Sequence, residues 1–120
     1  MSAELPPQIQ NQIAQIQQIQ QQAQALLNQK DQIEMMLRET EAAVKEIEAS
    51  DEGAVVYKSA GEVLLRADRS ALLEELTDKK EVLDLRLKTL NKQEERIKNR
   101  FDQLQEQLKQ SLGQMPPTAT

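Results

Sequence analysis

Cysteine and histidine are both missing from the 120 residues. Their absence excludes disulfides, thiol chemistry, thiolate zinc sites and imidazole acid–base catalysis together. Aromatic residues are nearly missing too, with one Tyr and one Phe, so aliphatic side chains must supply almost all of any core. No apolar run reaches the 18 residues that a membrane-spanning helix needs. The leading MSAELPPQ has neither the basic nor the apolar region of a signal peptide. The expected address is therefore the cytoplasm. There is no Gly-rich phosphate loop and no nucleophile beside a base. Acidic neighbours such as Glu74 and Glu75 fall on helical sequence with no pocket to raise a carboxyl pKa. Neither catalysis nor a cofactor nor a metal is expected. A net charge of −5 argues against general nucleic-acid binding.

Charge is also scarce at one end. Glu4 is the only charged residue before Lys30, and 12 Gln lie between Gln8 and Gln32. Gln is a fair helix former, so a helix persists there with little electrostatic protection against association.

What the chain has in abundance is a heptad. Ile9, Ile16, Ala23, Lys30, Leu37 and Val44 recur every seven residues, and Ile19, Leu26, Ile33, Thr40 and Ile47 follow three behind. These are the a and d positions of a coiled coil. Pro6 and Pro7 mark the start, where a missing N–H costs nothing. Gly53 is expected to end the helix as a left-handed cap. A second seam runs through Leu73, Lys80, Leu87, Glu94, Phe101 and Leu108, with Leu76, Leu83, Leu90, Ile97, Leu104 and Ser111. Asp68 or Ser70 is suited to cap that helix. Gly113, Pro116 and Pro117 end it.

Between the helices the period changes. In GAVVYKSAGEVLLRAD, residues 53–68, Val55, Val56 and Tyr57 form one apolar run and Val63, Leu64 and Leu65 another. β-branched and aromatic residues around a Gly-containing turn predict a β-hairpin, with Gly61 where φ turns positive. A lone hairpin is marginal in water, and this one carries apolar side chains at consecutive positions, hence on both faces. The rest of the chain is helical and offers no third strand, so other chains are the expected source of partners.

The fold expected is mainly α: a long antiparallel two-helix coiled coil with one β-hairpin at its base that joins an intersubunit β-barrel. The divisions are an N-terminal tip at 1–7, helices at 8–52 and 69–112, the hairpin at 53–68 and a tail at 113–120. Folding back the helices gathers Leu5, Ile9, Ile13, Ile16, Leu104, Leu108, Leu112 and Met115 at one end. Ile13 lies beside the seam and Met115 beyond the cap, so neither is needed to close two strands. Apolar surface of that kind suits a loose grip on unfolded chains. The basic residues between Arg86 and Arg100 have no aromatic for base stacking and read as a solvated face.

Three stretches, LPPQIQNQIAQIQQIQQQAQ, VYKSAGEVLLRAD and LRLKTLNKQEERIK, together resemble the archaeal prefoldin family, and with one hairpin the β class of it. The resemblance spans essentially the whole chain. It implies a hexamer of two α and four β subunits, hairpins joined in a double β-barrel platform, and arm tips that hold unfolded proteins and deliver them to a group II chaperonin without nucleotide hydrolysis. It further implies that Leu5, Ile9, Ile13, Ile16, Leu108, Leu112 and Met115 contact substrate. Val55, Val56, Tyr57, Val63, Leu64 and Leu65 would assemble the platform. The rival reading is a structural or adaptor coiled coil for one defined partner, which would have no need of an apolar β insert.

Overall fold

The computed structural model describes residues 5–114. Two long helices, α1 (Pro7–Ala49) and α2 (Arg69–Gly113), flank an antiparallel hairpin of β1 (Val56–Ala60) and β2 (Val63–Ala67). The chain divides into two compact units. One holds residues 1–29 and 90–120, the other residues 30–89.

In the first unit the N-terminal half of α1 packs against the C-terminal half of α2. Pro7 is the first helical residue, and the Pro6 carbonyl accepts from the amides of Ile9 and Gln10, both at 3.0 Å. Ile9, Leu26 and Leu104 are the buried apolar residues here, and all are seam positions. Ala23 also falls on the seam but is exposed. Its side chain is too short to fill the interface, and a cavity of about 320 Å³ opens among Ile19, Ala23, Leu26, Leu27, Ile97 and Phe101.

In the second unit the buried side chains are Thr40, Leu72 and Leu83. Thr40 is a hydroxyl in an apolar seam. It is tolerated because its Oγ1 donates to the Met36 carbonyl at 2.8 Å, so no polar atom is left unmade. Lys80 is a polar seam residue of α2, and its ammonium leans toward the Glu41 carboxylate of α1 at 3.8 Å.

The end of α1 corrects the sequence expectation. The helix stops at Ala49, short of residue 52, and Gly53 is not a left-handed cap, since the one positive-φ residue among those described is Gly61, at 62°. The last carbonyls of α1 find other donors. The Ser50 amide and hydroxyl both donate to the Ile47 carbonyl, and Arg69 reaches across from α2 to the same place.

Candidate interaction surfaces

The hairpin begins with its turn. Ala60 pairs with Val63, so only Gly61 and Glu62 lie between the strands. A two-residue loop with positive φ at its first position alone is the Gly-X turn whose twist matches flanking strands. The ladder therefore runs on through Lys58, Ser59 and Ala60, which the apolar runs alone do not reveal, and through Arg66 and Ala67.

Register assigns the faces. Directly paired residues share a face and successive residues alternate. One face carries Val56, Lys58, Ala60, Val63, Leu65 and Ala67, and the other Tyr57, Ser59, Leu64 and Arg66. The Lys58 ammonium meets the Glu75 carboxylate of α2 at 2.6 Å, so the first face is the one turned toward α2. Only Val56 and Ala67, nearest the helices, are half-buried. Tyr57 is 58% exposed, Val63 57%, Leu64 70% and Leu65 53%. Val55, just outside β1, is exposed as well. The sheet has two strands, so each strand has a hydrogen-bonding edge with no strand beside it among the described residues.

The strands and α2 are joined by a cap. Asp68 precedes α2, and its Oδ2 accepts from the Ala71 amide at 3.0 Å and the Ser70 hydroxyl at 2.9 Å. Of the two residues suited to the cap, Asp68 takes it and Ser70 supports it. The Ala71 amide, aided by the Ser70 hydroxyl, holds the Asp68 carboxyl below its usual pKa.

The second surface is the end of the first unit where both termini of the described chain lie. Leu5 and Leu112 are exposed there, and Ile13, Ile16 and Leu108 are half-buried. Gln10 holds Leu5 in place, with Nε2 donating to the Leu5 carbonyl at 2.8 Å. Ile9 is 3% exposed and Leu104 1%, so these two are covered while the seam is closed. Met115 lies outside the described residues. Gln12, one heptad before Ile19, is a seam residue the apolar count passes over. Its Oε1 is buried and accepts no hydrogen bond from the protein. The rule of seven alone would have found it.

Among the described residues no group of acidic side chains is arranged to hold a metal ion, and no helix is long and apolar enough to cross a membrane.

Two long helices joined by an exposed apolar β-hairpin define the class of fold. A family model described as "Prefoldin subunit" matches residues 10–115. The chain is 62% identical over 117 residues to the prefoldin subunit beta of Methanothrix thermoacetophila, with 98% of each chain covered. It is 51% identical over 113 residues to that of Methanosarcina acetivorans, covering 94% of this chain and 97% of the relative. Among solved structures, the prefoldin beta subunit from Thermococcus strain KS-1 superposes with a TM-score of 0.85 at 32% identity, over 96% of this chain and 100% of that one. The chain belongs to the prefoldin subunit family, and these archaeal relatives are beta subunits.

Proposed function

We propose that this chain is the β-type subunit of a hexameric, ATP-independent molecular chaperone of the cytoplasm, combined as four copies with two prefoldin α subunits. It acts by holding unfolded proteins and passing them to a group II chaperonin, with no catalytic step. The hairpin supports the assembly half of this reading, and one observation carries it. Leu64 is 70% exposed, one pair from the turn of a sheet whose two edges have no strand beside them among the described residues, a surface that calls for a neighbouring chain. Val55, Val56, Tyr57, Val63 and Leu65 complete the proposed platform contact.

Client capture is assigned to the end of the first unit. Leu5 and Leu112 are open for a first contact and Ile13, Ile16 and Leu108 are half-open, while Ile9 adds apolar area as the seam parts. Met115 is included in the proposed contact. Each arm grips weakly. Several arms on one platform raise the effective concentration, and avidity exceeds single-arm affinity by roughly 10²–10⁴.

Native mass spectrometry of the chain with a prefoldin α subunit tests assembly, and suppression of client aggregation tests capture. Ile13→Ser with Leu112→Ser should abolish protection and leave the oligomer intact. Full protection by that double variant would defeat the capture site. A chain that stays monomeric beside its α partner would favour an adaptor coiled coil instead.

A further inference from the structure

The last four carbonyls of a helix have no partner within it. In α1 there is no basic residue in the last turn and no left-handed glycine after it, and locally Ser50 donates only to the Ile47 carbonyl. Arg69 supplies further donors. Its Nη2 donates to the carbonyls of Ile47 at 2.8 Å, Ser50 at 3.1 Å and, more loosely, Glu48 at 3.4 Å, and its Nε donates to Ser50 Oγ at 3.2 Å. A planar guanidinium serves several acceptors at once where an ammonium is a point charge.

The location of Arg69 makes little sense for its own helix. It is the first residue of α2, where the helix dipole disfavours a cation, and α2 has no acidic residue in its first turn to offset it. Asp68 outside the helix provides the negative charge. The arginine is explained by the other helix, 19 to 22 residues away in sequence. Everything between the two partners is the hairpin and its connectors. The clasp therefore closes the root of the hairpin, and the Lys58–Glu75 pair fixes the sheet a second time, farther along α2.

We propose that Arg69 is the positioning residue for assembly: by binding the end of α1 to the start of α2 it sets the direction in which the hairpin leaves the helices, so that a neighbouring subunit docks on a sheet already in place. This rests on the assembly reading above. A residue that only capped α1 would steady the last helical turn and leave the hairpin indifferent to its loss.

Arg69→Ala and Arg69→Lys separate these roles. Amide hydrogen exchange in the isolated chain, resolved between the end of α1 and the strands, reads the clasp. Titration against the prefoldin α subunit reads assembly. Arg69→Ala should keep its helical circular dichroism, exchange the amides of β1 and β2 at least about tenfold faster, and need at least about tenfold more protein to assemble. Arg69→Lys should fall between it and wild type in both. Strand exchange and assembly at wild-type levels in Arg69→Ala would overturn the proposal, as would faster exchange confined to the end of α1. If Arg69→Ala loses its helices, Arg69→Lys decides alone, and wild-type behaviour in it overturns the proposal. Should wild type itself fail to assemble, the assembly reading falls, while strand exchange still reports on the clasp.

Discussion

Lys58 of β1 and Glu75 of α2 form an ion pair at 2.6 Å although both side chains are about half exposed, at 47% and 55%. Exposed pairs are screened and contribute roughly 0–1 kcal/mol. A double-mutant cycle on Lys58→Ala and Glu75→Ala, read by thermal unfolding of the free subunit, should give a coupling within that range. The pair orients a sheet more than it stabilises a fold. Salt should therefore weaken wild-type assembly more than wild-type folding, and Lys58→Ala should lose that extra salt sensitivity, which titration with the α subunit at low and high ionic strength measures.

Exposed and buried leucines should behave oppositely. Leu83 is 2% exposed, and Leu83→Ala should cost about 2–5 kcal/mol in denaturant unfolding, the usual range for a core truncation. Leu64→Ser removes no contact that the free subunit depends on. It should leave monomer stability within about 0.5 kcal/mol, as for ordinary surface changes, and abolish assembly with the α subunit. Equal effects of both variants on the monomer would contradict the burial pattern.

The same contrast explains what was legible in the sequence. Seven-residue periodicity placed Ile9, Leu26, Thr40, Leu83 and Leu104 in the interface, and all five are buried. It worked because a helix pair makes contacts that repeat with the period. The exposed apolar hairpin residues were legible for a related reason, since no local strand existed to cover them. The Arg69 clasp was not. It joins a side chain to backbone carbonyls 19 or more residues earlier, and every residue has a carbonyl. Gly53 misled because a glycine after a helix usually caps it, and here an arginine took that part. Leu72 is buried off the written seam, and Ala23 is exposed on it because a methyl group cannot span the gap.

Gly61 offers a test of the turn. Nothing lies within 4 Å of a Cβ built there, so substitution meets no obstacle except its φ of 62°. Gly61→Ala should cost roughly 1–2 kcal/mol, the left-handed penalty for an L residue, and Gly61→Asn less. Hydrogen exchange of the β1 and β2 amides measures both.

Asp68 gives the α2 cap a pH dependence. Its folded pKa is depressed by the Ala71 amide and then the Ser70 hydroxyl. The stabilisation is present above the unfolded carboxylate value, about 3.9, and is lost as pH falls through the lower folded value. Asp68→Asn keeps an acceptor without the titration. In acid titrations followed by circular dichroism it should lose less stability than wild type below about pH 4.

Gln12 lies in the seam beside the proposed capture site, with a buried Oε1 that accepts no hydrogen bond from the protein. A buried acceptor without a donor costs about 1–3 kcal/mol. Gln12→Leu should raise the unfolding temperature and weaken suppression of client aggregation, because a tighter seam yields Ile9 and Leu104 less readily. A variant that is more stable and protects clients equally well would separate capture from seam opening.

From Leu5 through Gln29 the first helix and its lead-in contain no ionisable side chain. Whatever this surface grips, neither protons nor dissolved ions act on its own residues. Acidity and salt are left to act on the hairpin's charged ties and on α2. A drift in pH or ionic strength would thus reach the proposed grip only through its α2 half, where Asp102, Glu106 and Lys109 stand among Leu104, Leu108 and Leu112.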